Sequence, residues 1–270
     1  MTVVDYRGQT TLITGASSGI GVEFAREFAR RGSDVVLVAR RLDLLEKLAA
    51  ELTATHGVRA TAIPLDLSLP AAGQTLADEV DRRGLAVTSL VNNAGFGTFG
   101  RFHAEDAGRL REEIDVNVAS VVDISRAFVG RLRACGNGVL INVASMAAYQ
   151  PVPNMAVYAA TKAFVVSFTE ALWQESLGTG LRVISLSPGA TRTEFNDVLG
   201  TEEPTRRATF QTPRQVVYTA LRTLDRGVPP PSVVSGRLNR LMEKAVRLLS
   251  LLLSRRRAVL LTAAVTRTTD

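Results

Sequence analysis

The sequence predicts a doubly wound α/β domain, a seven-stranded parallel sheet with helices on both faces. Three observations carry that expectation. Short aliphatic runs alternate with longer helix-period segments along most of the 270 residues, the pattern of parallel strands joined by crossover helices. Runs such as Val35-Val36-Leu37-Val38 and Val139-Leu140-Ile141 are apolar throughout, as strands covered on both faces must be. A glycine-rich segment, Thr14 to Gly21, follows the first run directly and opens a helix-like stretch.

Taken in order, strands are expected at residues 11–14, 35–39, 60–65, 89–92, 138–143, 182–187 and 232–235, with helices at 19–31, 41–56, 69–83, 104–134, 156–178 and 213–227. Pro229-Pro230-Pro231 is stiff punctuation leading into the last strand. No internal repeat or low-complexity linker divides the chain. The expectation is therefore one domain, 1–235, followed by an appendage, 236–270.

With 46% hydrophobic and 21% charged residues the chain has too much apolar material for intrinsic disorder, and its only cysteine, Cys135, excludes a disulfide scaffold. A net charge of +6 and a pI of about 10.1 invite a nucleic-acid or membrane reading. Between 237 and 257, however, seven basic residues face Glu243 alone, so the whole surplus sits in the appendage and the rest is balanced. On a helix, Leu238, Leu241, Met242, Ala245, Leu248, Leu249, Leu252 and Leu253 fall within an arc of about 140°, and Arg237, Arg240, Lys244 and Arg247 within another of about 80°. Three uses compete for this amphipathic helix: packing on protein, lying in an anionic membrane surface through residues 236–257, or binding nucleic acid. Leucine dominance without interleaved aromatics argues against nucleic acid. No uncharged apolar run is long enough to span a bilayer, and the opening residues do not read as a signal peptide. A cytoplasmic protein, with peripheral membrane association as the variant, is the expectation.

At the end of the first strand, Gly15, Gly19 and Gly21 allow a tight turn and close backbone approach to a pyrophosphate, which the following helix N-terminus would receive. The second strand ends in Ala39-Arg40-Arg41 with no acid before Asp43. A carboxylate there would accept a ribose 2′-hydroxyl, whereas guanidinium suits a 2′-phosphate, so NADP(H) is favoured over NAD(H). Arg40 is the better candidate and Arg41 reads as a solvated charge at the helix start. Asp66-Leu67 and Asn92-Asn93-Ala94-Gly95 end the third and fourth strands, and all these segments converge where such sheets bind ligands.

Tyr158 and Lys162 stand four residues apart, hence on one helix face. A cation beside the phenol is expected to depress its pKa toward working pH for acid/base chemistry. Ser145 ends the fifth strand at the same sheet edge, and Asn117 sits inside a helix, where asparagine carries a propensity cost that calls for a reason. Two histidines are too few for a histidine triad or a metal centre, and no metal is expected.

Together these motifs resemble the short-chain dehydrogenase/reductase family: TGASSGIG at 14–21, NNAG at 92–95, VNV around Asn117, Ser145, YAATK at 158–162, and Pro188-Gly189 followed by Thr191 and Thr193. The resemblance covers residues 10–195 in order and spacing and implies a Rossmann-type fold. It implies that Tyr158 is the acid/base, that Lys162 lowers its pKa and holds the nicotinamide ribose, that Ser145 hydrogen-bonds the reacting oxygen, and that Asn117 anchors a relay water. It implies cofactor contacts at Thr14, Gly15, Ser17, Ser18, Gly19, Ile20, Gly21, Arg40, Asp66, Leu67, Asn93, Ala94, Gly95, Tyr158, Lys162, Pro188, Gly189 and Thr191. It also implies a homodimer or homotetramer built on the long fourth and fifth helices.

Substrate specificity is expected from the loops 96–102, 146–155 and 188–212, with Phe96, Phe99, Met146, Tyr149, Val152, Met155, Phe195 and Leu199 as an apolar wall. These features predict a reductase or dehydrogenase acting on a lipophilic carbonyl or alcohol, acyl or steroid-like. The competing class is an NADP(H)-binding sensor or interaction protein, at a membrane surface, without turnover.

Overall fold

A computed structural model describes residues 4–206 and 208–252, together with Arg257 and Leu260. Seven strands form one parallel sheet in the order β3-β2-β1-β4-β5-β6-β7. They are β1 (Thr10–Thr14), β2 (Asp34–Ala39), β3 (Ala60–Pro64), β4 (Ser89–Asn92), β5 (Val139–Val143), β6 (Arg182–Ser187) and β7 (Ser232–Val234). The helices are α1 (Gly19–Arg30), α2 (Leu42–His56), α3 (Ala72–Arg82), α4 (Ala107–Ile114), α5 (Ser120–Ala134), α6 (Ala156–Glu175), α7 (Phe195–Leu199), α8 (Pro213–Leu224) and α9 (Arg237–Leu252). Strand order reverses between β1 and β4, which opens a crevice at the carboxyl ends of these two strands.

Successive strand side chains point to opposite faces, so each strand feeds two cores. Ile13, Val35, Leu37, Val91 and Ile141 pack with Phe24 and Phe28 of α1, Leu45 and Leu52 of α2, and Val216 and Leu221 of α8. Leu12, Val36, Val38, Leu90 and Leu140 pack on the other face with Leu76 and Val80 of α3 and Ile124, Phe128 and Leu132 of α5. The sheet is thereby clamped on both sides and its loop ends are held at fixed positions.

Two departures from the sequence reading matter for the site. The helix expected over 104–134 is interrupted: α4 and α5 are joined by a π-helical segment, Asp115–Ala119, that carries Asn117. Such a bulge turns one residue out of the α register and recurs at functional sites. The stretch after Pro188, read as loop, contains α7, and the amphipathic segment forms α9 as far as Leu252; positions 253–256, 258 and 259 of that segment lie outside the described residues. Among the described residues no helix is long and apolar enough to cross a membrane.

Candidate active site

The glycine segment is shaped by contacts rather than by propensity. Gly15 has φ +65°, and a Cβ there would stand 2.8 Å from Asn93 Nδ2 and 2.9 Å from Ala94 Cα. At Gly21 a Cβ would collide with the Gly15 carbonyl, so backbone meets backbone where any side chain would intrude. Thr14 locks the two central strand ends together: its Oγ1 accepts the N–H groups of Asn93 and Ala94, each at 3.0 Å, and the Asn93 amide donates to the Thr14 carbonyl at 2.9 Å. Ser18 caps α1 in extended conformation without spending its side chain on the helix.

Arg40 and Arg41 both face this end of the crevice. Arg40 is largely exposed and approaches Glu112 at 3.6 Å. Arg41 departs from expectation. It donates to Ser17 Oγ at 3.1 Å and pairs with Glu194 at 2.9 Å, because the α2 start lies between the glycine loop and the segment after β6. It is therefore a strut between two walls, not a freely solvated charge. Asp66 is held below the usual carboxylate range: burial alone would raise it, but the Ser68 N–H and hydroxyl, donating at 3.0 and 2.8 Å, outweigh burial, with Arg40 adding to them.

Farther along the crevice, Ser145, two residues beyond β5, caps the turn Met146–Tyr149 by accepting the Ala147 N–H at 3.2 Å, and hydrogen-bonds Tyr158. Tyr158 and Lys162, one turn apart on α6, are both buried. The ammonium is tied to the strand backbone. Lys162 Nζ donates to the Val143 carbonyl at 3.0 Å and lies 5.8 Å from the Tyr158 ring centroid. The expected depression of the tyrosine is accordingly overturned: burial pushes Tyr158 up to about 12, against the Ser145 hydrogen bond, and burial pulls Lys162 down to about 8. For the phenol, desolvation in this dry site outweighs the Ser145 hydrogen bond.

Asn117 finds its reason in tertiary contacts. Its Oδ1 accepts the Phe96 N–H at 3.1 Å, and its Nδ2 donates to the Phe96 carbonyl at 2.8 Å and to Thr161 Oγ1 at 3.1 Å. The π segment thus stitches the loop after β4 to α6. A Cβ on Gly95 would stand 2.8 Å from Asn117 Oδ1 and 3.0 Å from Lys162 Nζ, so the loop reaches both only as glycine.

One cavity of about 710 Å³ joins these parts, a size typical of small-molecule sites. Gly15, Ser17, Ser18, Gly19, Ile20, Arg40, Asp66, Leu67, Asn93, Ala94, Gly95, Ser145, Tyr158, Lys162, Pro188, Gly189 and Thr191 line it. Thr14, Gly21 and Asn117 do not; they stand behind the wall and shape it. Of the apolar wall, Phe96, Met146, Tyr149, Val152, Met155 and Phe195 are in place, with the Phe195 ring 5.4 Å from that of Tyr158. Phe99 and Leu199 are absent from it, replaced by Val198 and by Leu238, Met242 and Val246 of α9.

Two features escaped the sequence reading. Helix α9 reaches the cavity because Asn239 lies against Gly189 and donates to the Ser235 carbonyl at 2.8 Å. Glu113 is fully buried beside the site and accepts the Thr98 hydroxyl at 2.9 Å. Within Arg111-Glu112-Glu113 it reads as one more solvated helix charge, and no local signal marks it.

The profile of the short chain dehydrogenase family matches residues 9–204. Sulfoacetaldehyde reductase 2 of Chromohalobacter salexigens is 38% identical over 186 residues, 68% of this chain and 73% of that protein. A structure from a study of 7β-hydroxysteroid dehydrogenase stereoselectivity superposes with a TM-score of 0.82 at 27% identity, over 97% of this chain and 99% of its own. A short-chain dehydrogenase from Sphingobium yanoikuyae, in complex with NADPH, superposes with a TM-score of 0.77 at 32% identity, over 92% and 97%.

Proposed function

The chain belongs to the short chain dehydrogenase family of oxidoreductases, and from that premise we propose that it is an NADP(H)-preferring reductase interconverting a lipophilic ketone or aldehyde and its alcohol. The carrying observation is the single cavity that runs from the glycine cradle past Ser145 and Tyr158 to an apolar wall. Bound NADP(H) would supply or accept the hydride. Bare backbone at Gly15 and Gly19, with Gly21 packed behind Gly15, suits a pyrophosphate, and Arg40 with Arg41 at the rim suits a 2′-phosphate; the NADPH complex of the Sphingobium relative supports the same choice.

In this reading Tyr158 gives its phenolic proton to the carbonyl oxygen as negative charge develops there, and is reprotonated from solvent. A phenol held at about 12 keeps that proton until it is needed. Ser145 donates its hydroxyl to the same oxygen, Lys162 holds the nicotinamide ribose, and Asn117 keeps the loop and a relay water in place. The two comparisons differ in substrate polarity, sulfoacetaldehyde against a hydroxysteroid. The apolar wall supports the steroid-like or acyl side. NADPH oxidation across ketones of rising apolar length, with sulfoacetaldehyde as polar control, tests the reading. A gain with length supports it, and a flat series sinks the lipophilic assignment. NADPH binding without oxidation of any ketone would favour the sensor alternative.

A second reading concerns α9. Leu241 is 65% exposed and Leu248 57%, while Arg237, Arg240 and Lys244 are also exposed. Apolar and basic stripes side by side suit an anionic membrane surface, which would set the cavity mouth against lipid. Co-sedimentation with anionic vesicles, lost in a Leu241→Asp/Leu248→Asp variant, is the expected outcome; no binding by the native chain sinks it. A homodimer or homotetramer through α5 and α6 is proposed as well, supported by the partly exposed Phe164 stacked on Phe168. A monomer in sedimentation equilibrium would overturn that.

A further inference from the structure

Glu113 is the one buried residue of α4, with 0% of its surface exposed. Its Oε2 accepts the Thr98 hydroxyl, and its Oε1 has no hydrogen-bond partner among the described residues. Of the two arginines of its helix, Arg109 gives its guanidinium to Glu112 and to the face of Phe96, and Arg111 pairs with Asp115. A carboxylate stripped of water in this way either pairs or takes up a proton.

Its location connects it to the chemistry. Glu113 stands one turn before Asn117, on the helix that enters the π segment. Its hydroxyl partner, Thr98, lies in the loop after β4 that includes Gly95 and Gly97. A Cβ on Gly95 would stand 3.0 Å from Lys162 Nζ, and one on Gly97 3.0 Å from the Tyr158 ring. Carboxyl, ammonium and phenol are therefore packed around one short loop.

We propose that Glu113 is a positioning residue of this site, a buried carboxyl whose charge sets the proton affinity of Lys162 and Tyr158 through space. The proposal rests on the acid/base reading of Tyr158 given above. Ionised, Glu113 favours the ammonium and the phenol; protonated, it releases them toward amine and phenolate. Tyr158 and Lys162 are both raised by it. The charged groups acting on Glu113 in return are Lys162 from α6 and Arg109 from its own helix. Burial pushes the carboxyl up to about 7, with the Thr98 hydrogen bonds, Lys162 and Arg109 opposing, so its charge changes near neutrality.

Glu113→Gln keeps the shape and an acceptor for Thr98 but removes the charge. The alkaline limb of carbonyl reduction and the rising limb of alcohol oxidation are both expected to move to lower pH by about one unit. Glu113→Asp, which restores a charge, is expected to bring them back toward the native positions, and NADPH binding followed by fluorescence is expected to stay unchanged. Superimposable pH profiles for native protein and Glu113→Gln overturn the proposal. If the glutamine variant does not fold, Thr98→Val removes a donor that favours the ionised carboxyl and should move the titration of the Glu113 carboxyl, followed by its infrared C=O band, to higher pH; an unmoved titration overturns the proposal.

A second measurement needs no turnover and so separates this proposal from the reductase reading. A carboxyl whose pKa is raised on folding, here from 4.5 to about 7, favours the native state at low pH and loses that contribution as pH rises through the raised value. The Tm of the native protein relative to Glu113→Gln is therefore expected to fall between pH 4.5 and just above 7. A difference constant across that window shows that no buried carboxyl titrates there, and the proposal falls.

Discussion

The two ends of the cavity are built by different means. The cofactor end is made of backbone: glycines at 15 and 21 that tolerate no Cβ, and strand ends tied by Thr14 and Asn93. The substrate end is made of side chains carried on the short 146–149 turn, α7 and α9, several of them partly exposed. A wall of backbone admits almost no substitution, because any added atom meets a carbonyl or amide that cannot move. A wall of flexible apolar side chains can be re-cut without disturbing the chemistry. On the function proposed above, the difference assigns coenzyme binding to one end and specificity to the other, with Tyr158 at the junction.

That division can be broken or sharpened by substitution. At the junction, Tyr158→Phe is expected to lower kcat by about 10²- to 10⁴-fold while NADPH affinity stays nearly intact; full activity would remove the proton-donor role. In the backbone wall, Gly21→Ala places a methyl on the Gly15 carbonyl and is expected to weaken NADPH binding by about one to two orders of magnitude, measured by fluorescence titration. Binding left intact would show that the cradle has more give than its contacts imply. At its rim, loss of a charge-assisted contact in Arg40→Ala is expected to raise the KM for NADPH about tenfold and leave NADH unchanged, and equal effects on the two coenzymes would strip Arg40 of its discriminating role. In the side-chain wall, Met242→Ala is expected to raise KM for long apolar ketones by about threefold to tenfold with no change for NADPH. An effect on the coenzyme instead would mean that α9 supports the cofactor end, and the comparison would fail.

Asn117 and Glu113 mark the limit of what the residue order shows. Asparagine inside a helix is conspicuous and calls for a functional or packing reason, but the π segment that frees it for Phe96 and Thr161 depends on the loop across from it. Glu113 was inconspicuous because a glutamate in a charged helical run is ordinary. Its burial follows from which side of α4 meets the loop at Thr98, a matter of packing between segments distant in sequence. The role of Arg41 is hidden from the residue order for a similar reason: its partners Ser17 and Glu194 come from the loops after β1 and β6.

By itself the sequence determined the seven strands, the doubly wound sheet, the glycine cradle and the candidate Ser145, Tyr158 and Lys162, because strand hydrophobicity, tight turns and helical spacing are local properties. The tertiary structure alone decided where α9 lies over the cavity, which apolar residues face it, and the proton affinities within it. Those depend on burial. Desolvation is set by everything packed around a group, so it raised Tyr158 where a neighbouring lysine, read from spacing, had promised to lower it.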